Sequence, residues 1–249
     1  MSSTNYAFIS NYAVYSAIAL FTVAFFAHAI EVAFSLRNSG DKTKFDFTRT
    51  KRSGDLGTVM VVLAFICLLV AVVSRGISAE RVPWGNMYEF SITGALAFTG
   101  AYIFALWKYK IRWLGLPVAI SVLLTLGTAI TVLYVPSAPL VPALKSAWLV
   151  IHVSAAIISG GVFLLANCIA ATYLILDRYE ENGGRPVWAL KLPTLEALDQ
   201  LSYRLVALVF PLWTFSVIAG AIWAEAAWGR YWGWDPKETW AFITWVAYA

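Results

Sequence analysis

Seven apolar runs organise the chain, near 12–36, 56–73, 88–107, 114–135, 147–176 and 205–227, with the start of another near 239. A run of roughly 20 apolar residues is long enough to cross a hydrocarbon layer as a helix. Within that layer each backbone N–H and C=O must be satisfied inside its own segment, which favours helices over open sheets. The composition agrees: 60% of the 249 residues are hydrophobic and 13% charged, too few polar groups to clothe a soluble domain of this size. The expected architecture is therefore all-α, a polytopic transmembrane helical bundle with six complete spans and a truncated seventh. It forms one membrane-embedded unit over 1–249, without a soluble domain, repeat or low-complexity tract. No basic stripe interleaved with aromatics is present, so nucleic acid is not an expected partner. Cys67 and Cys168 lie about a hundred residues apart inside apolar runs, with no CxxC and no CxxCH, and read as small buried hydrophobes. The N-terminus lacks a basic region and a small-residue cleavage site, so the first run reads as a retained span.

Lys and Arg in the connections set the orientation, because positive residues concentrate on the cytoplasmic side. The connection at 37–52 holds six, the turn at 108–112 three, and the stretch 177–204 four. The alternate connections hold two (Arg75, Arg81), one (Lys145) and two (Arg230, Lys237). Thirteen against five, with the same side ahead each time, puts the N-terminus outside, together with the connections near 75–87, 136–147 and 226–238. The last apolar run starts near Trp240 and has about ten residues before Ala249, too few to cross, so further sequence is expected after Ala249.

Six of the twelve tryptophans fall within 223–245: Trp223, Trp228, Trp232, Trp234, Trp240 and Trp245. One reading is an aromatic belt, since Trp and Tyr collect at any membrane interface. The other is a surface built for a wide, flat, apolar ligand. On that reading Trp228 and Trp232, four apart, share a helix face. Gly229 and Gly233 let such a ligand approach the backbone. Haem, an apolar macrocycle with two anionic propionates, suits the surface, because indoles offer rigid faces and an orienting N–H. Arg230 and Lys237 then either pair with the propionates or sit as solvated interfacial charges. Asp235, ahead of Pro236, reads first as the cap of the last helix. It has two alternatives, holding a tryptophan N–H or facing the haem edge.

The run WGRYWGWDPKETWAFITW at 228–245 resembles the WWD signature of the haem-handling superfamily of cytochrome c biogenesis. It is most similar to the CcsA/ResC type (CcsB in some bacteria), the integral component of the System II cytochrome c synthase. The DPKETWAFITW ending separates it from the CcmC and CcmF types. Leu198-Asp199 with Ser202-Tyr203-Arg204, Trp148 with His152-Val153-Ser154, and Pro83 with Asn86-Met87-Tyr88-Glu89 resemble the same family. The resemblance implies that haem b is the bound ligand. A WWD segment at 223–245 would present it on the outer face for thioether attachment to the CXXCH of an apocytochrome c. It also implies a ResB-type membrane partner, a thiol-reducing pathway, and a multi-pass place in the plasma membrane, or in the thylakoid of a plastid or cyanobacterium.

The chain has two histidines, and haem iron usually takes an axial His. His152 lies near the outer end of the fifth run; His28 lies in the inner half of the first. With upright spans, most of a roughly 30 Å layer separates them, so they cannot share one iron. Either residue also fits a plain interhelical hydrogen bond. The resemblance assigns both as haem ligands, His152 outside and His28 within the membrane, and implies a second histidine of each kind after Ala249. Glu31, three residues after His28, shares its helix face. It either reaches the cytoplasmic edge as a snorkelling carboxylate, the plainer reading, or orients the imidazole. Trp84, Asn86, Met87 and Glu89 fall in an outer loop that would cover the tryptophans, with Met87 expected to pack. Leu195, Leu198 and Leu201 suggest a separate interfacial helix.

Three rivals are weaker. A CcmC-like protein handing haem to a chaperone should lack the PKETWAFITW ending. A b-type electron-transfer subunit needs two His pairs, which two histidines cannot supply. A transporter should show broken helices and midplane polar residues.

Overall fold

The computed structural model describes residues 3–37, 44–109, 111–138, 146–185, 189 and 192–249. They form seven α-helices: α1 Ser3–Arg37, α2 Lys44–Ala79, α3 Met87–Lys108, α4 Gly115–Thr131, α5 Ala147–Glu181, α6 Leu195–Trp228 and α7 Pro236–Tyr248. A 3-10 turn, Arg112–Leu114, leads into α4. There is no strand among the described residues. Helices α1 to α6 are long and apolar enough to cross a membrane, and α7 is a shorter seventh of 13 residues. The expected all-helical, multi-spanning bundle is what this chain forms. Lys42, Lys110, Lys145 and Lys191, which carry part of the charge asymmetry, lie outside the described residues.

Two boundaries differ from expectation. Residues 195–201 are not a separate interfacial helix. They are the first turns of α6, capped by Thr194, with Leu198 fully buried. The fourth apolar run leaves the helix at Thr131, and residues 134–138 continue as irregular backbone.

Helices α1 and α2 pair along a seam of period 3.5. The stripe on α1 is Ser10, Val14, Ala17, Phe21, Ala24 and His28, all buried; on α2 it is Gly54, Gly57, Val61, Ala64, Leu68, Ala71 and Arg75. That alternating three-and-four spacing is the knobs-into-holes pattern, and the small residues in it let two backbones approach closely. The seam runs antiparallel: the Ser10 hydroxyl donates to the Ala71 carbonyl at 2.8 Å, and His28 lies against Gly57. Helix α3 sits centrally, against α2, α4 and α5. Gly161 of α5 faces the backbone of Ala97 and Phe98 so closely that a Cβ there would overlap it. Helices α5 and α6 form a second long pair. Helix α7 leans on both. Trp245 donates from Nε1 to the Thr214 hydroxyl at 3.0 Å, Tyr248 donates to Asn167 Oδ1 at 2.9 Å, and the Tyr248 ring stacks on Phe163.

At the tryptophan end of the bundle, charge is buried. Arg75 and Glu89 are both fully inaccessible. Glu89 Oε1 accepts from Arg75 Nε at 3.0 Å, and its Oε2 accepts from Arg81 Nη1 at 2.7 Å and from the Gly85 amide at 2.9 Å. Asn86 caps α3 by accepting from the Glu89 amide. The guanidinium of Arg75 lies 5.1 Å over the Tyr88 ring and donates to the Val135 carbonyl, while Arg81 donates to the Ala138 carbonyl. One carboxylate thus ties α2, the 80–86 turn, α3 and the 134–138 strap together. Arg75 and Glu89, read from sequence as loop residues, are core groups, with Arg81 partly buried beside them.

Removing one partner of such a cluster leaves buried charge unpaired. Glu89→Ala is expected to destabilise the protein by roughly 3–5 kcal/mol. Thermal unfolding of the purified protein in detergent would check this, and an unchanged midpoint would remove the cluster from its structural role.

Candidate functional site

The tryptophan segment is the linker between α6 and α7, and its conformation follows from helix-end chemistry. Helix α6 stops where Gly229 takes a left-handed φ of 70° and returns its amide to the Glu225 carbonyl at 2.8 Å. That is an ordinary glycine helix terminator. Helix α7 starts with a capping box. Asp235 accepts from the amides of Lys237 and Glu238, and Glu238 reaches back to the amide of Asp235, with Pro236 in the first turn. Asp235 is therefore a cap, the first of the readings open to it.

Glu238 is the hub of the linker. Its Oε2 also accepts from the Gly233 amide at 2.6 Å, and its Oε1 accepts from Arg230 Nη1 at 3.0 Å. Arg230 lies 5.6 Å over the Trp228 ring, 4.0 Å from Asp235 Oδ2, and fills the room that a Cβ on Gly233 would need. The glycines thus have local reasons to be glycines: Gly229 for its φ and Gly233 for the guanidinium beside it. Arg230 already has a carboxylate partner. Lys237 is exposed and keeps its ammonium free among the described residues. Trp228 ends α6, and Trp232 falls beyond the helix, so the two do not share a helix face as the spacing suggested. Trp232 meets Trp234 edge-on, and Trp234, at a left-handed φ of 58°, meets Phe242 edge-on. Trp228 and Trp234 remain 49% and 66% exposed, leaving indole surface open to a ligand.

His152 stands beside this linker, in the second turn of α5. Its Nδ1 lies 3.0 Å from the Trp148 carbonyl, which can only accept, so Nδ1 carries the proton. The neutral ring then leaves an unprotonated Nε2, and no described residue hydrogen-bonds to that atom. The imidazole stacks on Trp223 with centroids 5.1 Å apart and planes at 24°, and Trp223 in turn meets Trp228 edge-on at 4.7 Å. The structure therefore brings His152, Trp223 and Trp228 together, with Arg230, Asp235, Trp232, Trp234 and Lys237 on the adjoining linker. Met87, expected to pack, is exposed at the start of α3, and Trp84 keeps a buried Nε1 without a partner among the described residues.

His28 is at the opposite end, on the α1–α2 seam. Its Nδ1 donates to Glu31 Oε2 at 3.2 Å, and its Nε2 is buried without a partner among the described residues. Cβ atoms on Gly57 and Gly115 would overlap the ring, so it is wedged between α2 and the start of α4. Glu31 is no snorkelling carboxylate. Its Oε1 accepts from Arg112 Nη2 at 2.9 Å, and Arg112 Nη1 donates to Asp55 Oδ1 at 2.7 Å. Sequence reasoning had Glu31 beside His28 as one of its readings and missed Arg112 and Asp55. The signal for them was Gly54 and Gly57 on the same stripe as Arg75. His152 is held in the tautomer that suits iron ligation. Among the described residues, no cluster of His, Cys, Asp and Glu could hold a bare metal ion.

Gly233→Ala is expected to expel Arg230 from its seat and cost about 1–3 kcal/mol. Trypsin should then cleave after Arg230 faster than in the unsubstituted protein; equal rates would contradict the packing described.

A family model described as cytochrome C assembly protein matches residues 84–249. Among relatives, the cytochrome c biogenesis protein CcsA of Trieres chinensis is 32% identical over 233 residues, covering 82% of this chain and 75% of that protein. The protein of the same name from Porphyra purpurea is 33% identical over 241 residues, covering 82% and 76%. That of Picosynechococcus sp. is 33% identical over 256 residues, covering 78% and 74%.

Proposed function

The chain belongs to the cytochrome c assembly family and is of its CcsA type, and from this premise we propose that His152 and the 223–245 tryptophan segment hold haem for attachment to an apocytochrome c. The general role, haem handling in cytochrome c biogenesis by a multi-pass membrane protein, follows from the family and from six membrane-crossing helices. The observation that carries the site is the state of His152: a fixed ring, Nδ1–H committed to the Trp148 carbonyl, and a bare Nε2 beside exposed indoles.

The residues suit haem b. Trp228 and Trp234 offer apolar faces to the macrocycle, with Trp232 and Trp223 behind them. Lys237 is the free cation for a propionate, while Arg230 and Asp235 build the linker that displays the indoles. His28, with its own bare Nε2, is the inner ligand. The glycine wedge leaves no space for a porphyrin on that nitrogen as the helices stand, so haem there requires α1, α2 and α4 to part. The whole segment lies on the extracytoplasmic side, as the Lys and Arg distribution argues. There an apocytochrome CXXCH would add its two thiols across the haem vinyl groups. That addition forms two C–S bonds and consumes no oxidant, but it needs reduced cysteines. A thiol-reducing pathway and a ResB-type membrane protein complete the assembly.

His152→Ala should remove or alter the absorption spectrum of haem bound to the purified protein, and His28→Ala should lower haem supply to the outer site and cytochrome c maturation with it. Unchanged spectra in the first variant sink the outer site, and normal maturation in the second sinks the inner one. Orientation is checked by a cysteine placed at Tyr231, which should react with an impermeant maleimide added to intact cells; protection there together with labelling at Lys42→Cys would reverse the assignment.

A further inference from the structure

One stripe of α6 is given over to His152. Ser216, Gly220 and Trp223 are spaced four and three apart, so they lie on one helix face. The Ser216 hydroxyl donates to the His152 carbonyl at 2.9 Å and seats that residue's backbone on α6. At Gly220 a Cβ would already touch the imidazole Cδ2 at 3.5 Å, ordinary contact with no room for a larger side chain. Trp223 lies along the ring face, 5.1 Å between centroids and 24° between planes. The ring is thus held at its backbone, at Nδ1 and over one face. The indole that covers that face is also engaged by the edge contact with Trp228. A side chain occupied in this way has little face left for a porphyrin.

We propose that Trp223 is a positioning residue: its indole sets the plane of the His152 imidazole, and so the direction in which Nε2 presents its lone pair, rather than forming part of the haem-contacting surface. The assignment rests on His152 being a haem ligand. It separates Trp223 from Trp228 and Trp234, which display their faces to the ligand. The indole Nε1 of Trp223 is buried and has no partner among the described residues. The contribution of Trp223 is therefore its ring face, and another aromatic ring should supply it.

The test uses the full chain in detergent, stripped of haem and titrated with haemin, in a His28→Ala background so that only the His152 end is open. Two quantities are read: the dissociation constant, and the ferric EPR signal, whose anisotropy follows the orientation of the axial imidazole. Trp223→Ala should weaken haemin binding roughly tenfold, as loss of a ligand-orienting partner does, and should shift or broaden the EPR signal. Trp223→Phe should restore both. Gly220→Val keeps the indole but crowds the ring, and should reproduce the EPR shift; it carries the test if Trp223→Ala does not accumulate. Wild-type affinity and EPR in Trp223→Ala, or in Gly220→Val when that variant stands in for it, overturn the proposal while His152→Ala still changes both. If His152→Ala changes neither, the ligand assignment fails and the positioning role falls with it.

Discussion

A charge carried into an apolar layer has to meet its counter-charge there, and this bundle meets the requirement with one carboxylate at each end. Glu89 serves Arg75 and Arg81 at the tryptophan end. Glu31 pairs with Arg112 and accepts a hydrogen bond from His28 at the other. An isolated ion in such a medium costs several kcal/mol, and the cost falls only when geometry and hydrogen bonding are good. Each carboxylate therefore dictates which helices stand next to one another. Glu89 gathers α2, α3 and the 134–138 strap; Glu31 gathers α1, α2 and the turn into α4. The α1–α2 seam runs between these two points, and its small side chains let both sets of groups meet.

The number and rough limits of the helices were legible because lipid imposes a simple rule of about 20 apolar residues per crossing. Less legible was what each helix faces. Helix α1 is apolar on every side, so no amphipathic stripe marks its buried edge. The 3.5-residue spacing of Ser10, Val14, Ala17, Phe21, Ala24 and His28 does mark it, but only beside the matching stripe of α2. Arg75 illustrates the same limit. A charge count puts it in a connection, whereas a partner 14 residues later in sequence draws it wholly inside. Leu195, Leu198 and Leu201 looked like a surface helix for the opposite reason, because nothing local announces that α6 continues through them.

At the site, residue types were easier to read than their tasks. Asp235 before Pro236 announced a cap, since capping depends on neighbours within one turn. Arg230 and Lys237 looked equivalent, and the difference between them is Glu238, whose carboxylate folds back five residues to Gly233 and eight to Arg230. Trp223 looked like one more indole until a separate helix placed His152 on its face. His28 and His152 were correctly set at opposite ends by topology alone. The tautomer of His152 required knowing the acceptor at its Nδ1.

Glu238 gives the linker a thermodynamic character beyond its shape. Three groups converge on its carboxylate, the amides of Gly233 and Asp235 and the Arg230 guanidinium, while its backbone amide donates to the Asp235 carboxylate. They hold Trp234 in a left-handed backbone that a non-glycine residue adopts only under constraint. The conformational entropy of the segment is thus surrendered when the protein folds. A flat guest arriving at these indoles finds them already immobilised, and its affinity is not diminished by having to order them.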